Sequence, residues 1–157
     1  MEKFKNAIRW FEIPAKDITR AKIFYEAIFQ TKLQDLVLGN NLRMALFPTE
    51  EATVGGALCE HKDFYHPGHQ GPLVYLNADP DLQPVLDRVN ANGGKVMVLK
   101  RQISPEFGYM AVIEDSEGNR IALYGTEPRR ALPFWSLSPE LREAAMAGPA
   151  TQYTIVM

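Results

Sequence analysis

Glu60, His61, His66 and His69 are four potential metal donors within ten residues, and that stretch holds every histidine of the chain. Imidazole and carboxylate at this density could hold a borderline divalent cation. The spacing argues against it, because Pro67-Gly68 separates His66 from His69 and rules out a shared helix face. A solvated loop is the alternative reading. Cys59 stands just before this stretch and is the only cysteine. It has no histidine at a recognisable nucleophile spacing, so a buried structural thiol is the expectation.

The other residue with chemical potential is Glu12. Residues 8–14 alternate in the manner of a strand, which puts Trp10, Glu12 and Pro14 on one face. A carboxylate beside an apolar floor is pushed toward its neutral form and suits a general base. The structural alternative is a solvated Glu12, or one paired with Arg43 or Arg120. Arg120, Ala122 and Tyr124 share a face of a later strand, and Tyr75, Asn77, Arg101 and Tyr109 are further candidates for a pocket wall. The chain has no Gly-x-Ser-x-Gly, phosphate loop or dinucleotide fingerprint.

These residues are positioned by a pattern that occurs twice. After the strand at 8–14, Asp17 opens a helix in which Ala21, Phe24, Tyr25 and Ile28 recur at helical spacing. Leu73–Asn77 is a second strand, and Asp79 and Asp81 precede a helix carrying Leu82, Val85, Leu86 and Val89. Gly93-Gly94 ends that helix, and Lys95–Leu99 is the next strand. Phe11 to Lys32 and Val74 to Lys95 are equal spacings. Each half then continues as a hairpin. Leu42–Phe47 turns at Pro48–Glu51 and returns through Ala52–Cys59, with Gly55-Gly56 read as a strand bulge. Gly108–Ile113 turns at Asp115-Ser-Glu-Gly-Asn119 and returns through Arg120–Tyr124. Two tandem βαβββ units result, and His61–Gly71 is the linker. Near the end, Ser138-Pro139-Glu140 is a helix start and Gly148-Pro149 a stop. Phe134, Trp135 and Leu137 need burial, on this domain or on a second subunit.

Bulk properties narrow the function classes. A chain of 157 residues suggests one domain with a core of its own. The formal net charge of -2 supplies no field for nucleic acid or an anionic membrane. Met1–Lys5 leads into no apolar signal segment, and no stretch is long and apolar enough to span a bilayer. With a single cysteine, a reducing, cytoplasmic location is the expectation.

Four segments together resemble the glyoxalase/bleomycin-resistance/dioxygenase superfamily, also called vicinal oxygen chelate. They are Trp10–Tyr25 (WFEIPAKDITRAKIFY), Gly55-Gly-Ala-Leu58, Leu73–Val96 with its Gly-Gly-Lys, and Asp115–Tyr124 (DSEGNRIALY). The resemblance implies an α+β fold of two tandem βαβββ modules forming a cupped mixed sheet, with a C-terminal extension carrying a short helix. The domain would span 1–130, with module one at 6–60, the linker at 61–71 and module two at 72–127. The extension, 131–157, would pack on the domain or a partner subunit. Active relatives hold a divalent metal through His, Gln or Glu on four strands, where it acts as a Lewis acid. Matched to that pattern, the first position is Trp10, the second-repeat position is Val74 or Pro72, and the last-strand position is Ala122. The remaining position falls on Cys59 or Glu60.

No cofactor is expected on that count, with a divalent metal held by Glu60, His61, His66 and His69 as the alternative. The expected function is binding of a small hydrophobic or aromatic molecule in the cup, by Trp10, Glu12, Asn77, Tyr109, Ala122 and Tyr124. The competing expectation is a glyoxalase-type lyase, isomerase or dioxygenase that uses a displaced metal or Glu12 as base. A homodimer is expected, with no nucleic-acid or membrane partner.

Overall fold

A computed structural model describes residues 3–39, 41–127 and 138–147. Phe134, Trp135, Leu137 and the end of the chain beyond residue 147, on which a clasp was expected, lie outside the described residues.

The chain runs β1 (Trp10–Pro14), α1 (Ile18–Phe29), β2 (Gln34–Leu38), β3 (Leu42–Leu46) and β4 (Gly55–Glu60), then β5 (Val74–Asn77), α2 (Gln83–Asp87), β6 (Lys95–Ser104), β7 (Gly108–Glu114) and β8 (Arg120–Gly125). A helix, α3 (Pro139–Ala147), follows. Two four-stranded sheets form, ordered β1-β4-β3-β2 and β5-β8-β7-β6. In each, the first and last strands pair parallel and the others antiparallel. The repeat read from spacing is therefore a repeat of topology. Equivalent backbone bonds close both units, Ala15 N–H to Cys59 O and Ala78 N–H to Tyr124 O, each at 2.8 Å.

Helix α1 follows its sequence signals. The Asp17 side chain accepts the Arg20 N–H, and Ile18, Ala21, Phe24, Tyr25 and Ile28 are buried. Module two is less regular. Helix α2 has 5 residues and a Pro at its first turn, and a 3-10 turn at Asn90–Asn92 takes up the rest of the segment. Asparagines before a Gly-Gly stop favour turn over helix. Leu82, Val85, Leu86 and Val89 are buried all the same, because the apolar stripe needs the core more than it needs a continuous helix.

The helix-facing sides of both sheets share one core, joining Ile13, Phe24, Tyr25 and Leu58 to Leu82, Val89, Ile113 and Leu123. The expected bulge at Gly55-Gly56 is absent, since β1 and β4 pair without a break from Trp10↔Gly55 to Pro14↔Cys59. Both glycines instead admit aromatic rings. A Cβ on Gly56 would sit 2.3 Å from the Phe11 ring, and one on Gly55 would sit 3.1 Å from the Trp10 indole.

The turn between β7 and β8 reaches across to module one. Asn119 Nδ2 donates to Pro14 O at 2.7 Å, and Tyr25 OH donates to Asp115 Oδ2 at 2.7 Å. Glu117 binds Arg20 and accepts the N–H groups of Lys16 and Asp17, the two residues that lead into α1. The sequence signals mark this segment as a hairpin turn, but its side chains lock the modules together.

Candidate functional site

The strands' other faces, turned away from α1, carry two separate apolar clusters. One contains Met44, Ala57 and Cys59 with Leu42, Leu46 and Tyr65 against it; the other contains Met110, Val112 and Ala122 with Leu73 and Val98. Strand register defines the module-one face. β1 supplies Trp10, Glu12 and Pro14, opposite Gly55, Ala57 and Cys59 of β4. β3 adds Leu42, Met44 and Leu46, and the edge strand β2 adds Gln34, Leu36 and Leu38. Glu12 is the one charged group among these twelve strand positions.

Glu12 is exposed and held on both sides by neutral donors. Tyr65 OH donates to Oε2 at 2.5 Å, and Trp10 Nε1 donates to Oε1 at 3.3 Å. Neither Arg43 nor Arg120 pairs with it: Arg43 lies 3.5 Å from Glu60, and Arg120 donates to Gly71 O. Tyr65 comes from the linker, where Phe64 and Tyr65 both donate their N–H to His61 O in a tight turn. Linker composition gave no reason to single Tyr65 out, because only the turn aims it back over β1. Beneath it the Cys59 thiol is pushed up to about 12, by burial first and by the Glu12 carboxylate second. Tyr65 is raised as well, by burial and by its bond to Glu12. Both groups are neutral near pH 7, so the charge of the cluster is that of Glu12.

The proposed metal donors disperse. Glu60 Oε2 accepts the Ile18 N–H at 2.6 Å and so serves the start of α1. His61 Nδ1 accepts the Asp63 N–H, His69 bonds Glu114 at 2.7 Å, and His66 lines a depression with Lys16 and Lys62. Among the described residues no group of three His, Cys, Asp or Glu could hold a metal ion.

In module two, Tyr75, Asn77, Ala122 and Tyr124 share the outer face by register, with Tyr75 half exposed. Arg101 and Arg120 also lie on this face, beside Met110 and Glu114. Tyr109 does not belong there. It alternates onto the core side, buried beneath the Lys100 ammonium 4.9 Å from its ring centre.

Register also corrects two alignments made from spacing. Pro14↔Cys59 matches Asn77↔Tyr124, so Trp10 corresponds to Leu73, between the expected Pro72 and Val74. Ala122 corresponds to Ala57, which replaces both Cys59 and Glu60 as the equivalent position on β4.

The family model of the Glyoxalase/Bleomycin resistance protein/Dioxygenase superfamily matches residues 7–123. The chain belongs to this superfamily. Solved structures of similar fold include a glyoxalase/bleomycin resistance protein from Albidiferax ferrireducens T118, at 16% identity and TM-score 0.57, covering 78% of this chain and 100% of that one. TnmS3, an antibiotic binding protein from Streptomyces sp. CB03234, is 22% identical at TM-score 0.58, covering 80% and 100%. A glyoxalase I mutant from Zea mays is 16% identical at TM-score 0.58, covering 74% of this chain and 45% of its own. No curated protein matches the chain. At these identities the likeness is one of fold, and a fold of this kind does not fix a chemistry. Among the described residues no helix is long and apolar enough to cross a membrane.

Proposed function

We propose that this superfamily member is a metal-independent binding protein that holds a small hydrophobic or aromatic molecule against the outer sheet faces. One observation carries the reading. The four register-equivalent positions, two per module, are Trp10, Ala57, Leu73 and Ala122. An indole N–H, two methyl groups and an isobutyl group offer no lone pair to a cation, so these residues do not fit a divalent metal. Alanines on the inner strands leave room beside the exposed Trp10 and Tyr75 rings, which suits an aromatic guest. A homodimer in the cytoplasm, with no nucleic-acid or membrane partner, completes the reading.

The second reading is a lyase, isomerase or dioxygenase of glyoxalase type, with Glu12 as base or a displaced metal at the Glu60–His69 segment. It is favoured by one feature, an exposed carboxylate oriented by Tyr65 and Trp10. Metal analysis of protein purified without chelator separates the two. Substoichiometric metal, unchanged by Glu60→Gln, is expected; stoichiometric metal lost in that variant or in His69→Ala overturns the proposal. Turnover of a carbonyl substrate abolished by Glu12→Gln would establish the second reading without metal.

A further inference from the structure

The module-one face is uncharged except at one point, and that point is a carboxylate. Glu12 makes none of the ion pairs found among the described residues. Its two hydrogen-bond donors, Tyr65 and Trp10, are neutral aromatics, so they orient the carboxylate without compensating its charge. A carboxylate has about four acceptor sites and two are taken. Lys5 and Arg9 line a depression that Trp10 borders and Glu12 does not, and Lys16 and Lys62 line another that Tyr65 borders and Glu12 does not. The other ionisable neighbours, Cys59 and Tyr65, stay neutral. The guanidiniums of Arg101 and Arg120 are on the module-two face.

An uncompensated carboxylate between an exposed indole and a phenol, with the half-buried Pro14 and Leu46 on the same face, has the complementarity of an organic cation. The ammonium would pair with Glu12, its flanking CH groups would lie on the indole face, and its ring would lie against the exposed apolar edges beside it. We infer that Trp10, Glu12 and Tyr65 form a recognition site for the protonated amine of a cationic aromatic ligand. This rests on the reading of the outer face as a ligand surface. Tyr65 and Trp10 act as positioning residues for the carboxylate, and Trp10 also contacts the ligand.

The test compares three probes with one ring system: 1-naphthylmethylamine, 1-naphthylmethanol and 1-naphthoate. Binding to the full chain is measured by calorimetry and by the indole N–H resonance of Trp10, identified by its loss in Trp10→Phe. The amine should bind about tenfold tighter than the alcohol, and the carboxylate weakest. Glu12→Gln, whose carbonyl can still accept the Trp10 N–H while its amide N–H donates to the Tyr65 hydroxyl, should abolish the amine's advantage and leave the alcohol unchanged. Equal binding of amine and alcohol, unaltered in Glu12→Gln, overturns the inference while the ligand surface stands. Tighter binding of the carboxylate overturns it too. If Glu12→Gln dissociates a dimer in light scattering but keeps the amine's advantage, Glu12 belongs to a subunit contact and the inference fails. If no probe moves the Trp10 resonance, the ligand surface itself is refuted.

Discussion

Arg20 on α1 grips Glu117 in the β7–β8 turn through two hydrogen bonds, Nε to Oε2 at 2.7 Å and Nη2 to Oε1 at 3.0 Å. The Glu117 side chain is inaccessible, and its Oε1 also takes the N–H groups of Lys16 and Asp17. A carboxylate from module two thus holds the two backbone N–H groups that lead into α1 of module one, at the end where the helix dipole favours an anion.

That clasp has a pH signature. Burial opposes the charge on Glu117, but the bonds from Arg20, Asp17 N–H and Ser116 outweigh it and hold the group below its ordinary value of 4.5. A depressed carboxylate stabilises the fold above the unfolded pKa and loses that contribution as pH falls through the folded value. The thermal midpoint should therefore drop as the solution is acidified below about pH 4.5, and Glu117→Gln should flatten that acid limb. A midpoint with the same acid slope in both proteins would refute the role given to Glu117.

Tyr25→Phe probes the second inter-module contact. Tyr25 is fully buried and donates to Asp115, which also accepts from Asn119 and from the Glu117 N–H. Losing one donor to a buried carboxylate costs about 1–3 kcal/mol. Urea unfolding should show that loss in the midpoint with an unchanged slope.

Cys59 should be inert in the folded protein. A thiol raised from 9.0 to about 12 has about a thousandfold less thiolate at pH 8 than an ordinary one. Reaction with a disulfide reagent should be slower by at least that factor in buffer than in denaturant. Rapid modification of the folded chain would contradict the placing of Cys59 beneath Glu12.

Gly56→Ala tests the seat of Phe11. Its Cβ would overlap the ring at 2.3–2.5 Å, and β4 pairs β1 on one side and β3 on the other, leaving it no room to retreat. Overpacking of this kind costs about 1–3 kcal/mol, read as a lowered unfolding midpoint. No cost would mean that β4 shifts freely.

Local chemistry carried the fold. Residues with period two, the Asp17 cap and the stripe Ala21, Phe24, Tyr25 and Ile28 specify strand, helix and buried face within a few residues, and the equal spacing from Phe11 and from Val74 predicted the common topology. Trp10 and Glu12 were legible as neighbours on a face because alternation alone puts them there. Tyr109 was misplaced because alternation groups it with Ala111 and Ile113 but does not say which face of β7 meets the helices; the unbroken pairing with β8 does, setting Met110 and not Tyr109 opposite Tyr124.

The sequence alone determined two βαβββ units, a core stripe on α1, and a face bearing Trp10 and Glu12, since each follows from periodicity within one segment. Only the tertiary structure decided that Tyr65 closes over Glu12, that Ala57 and not Cys59 or Glu60 matches Ala122, and that Glu117 ties down the start of the other module's helix. Those relations join residues far apart in the chain, and strand register and turn direction, which no local pattern encodes, set them.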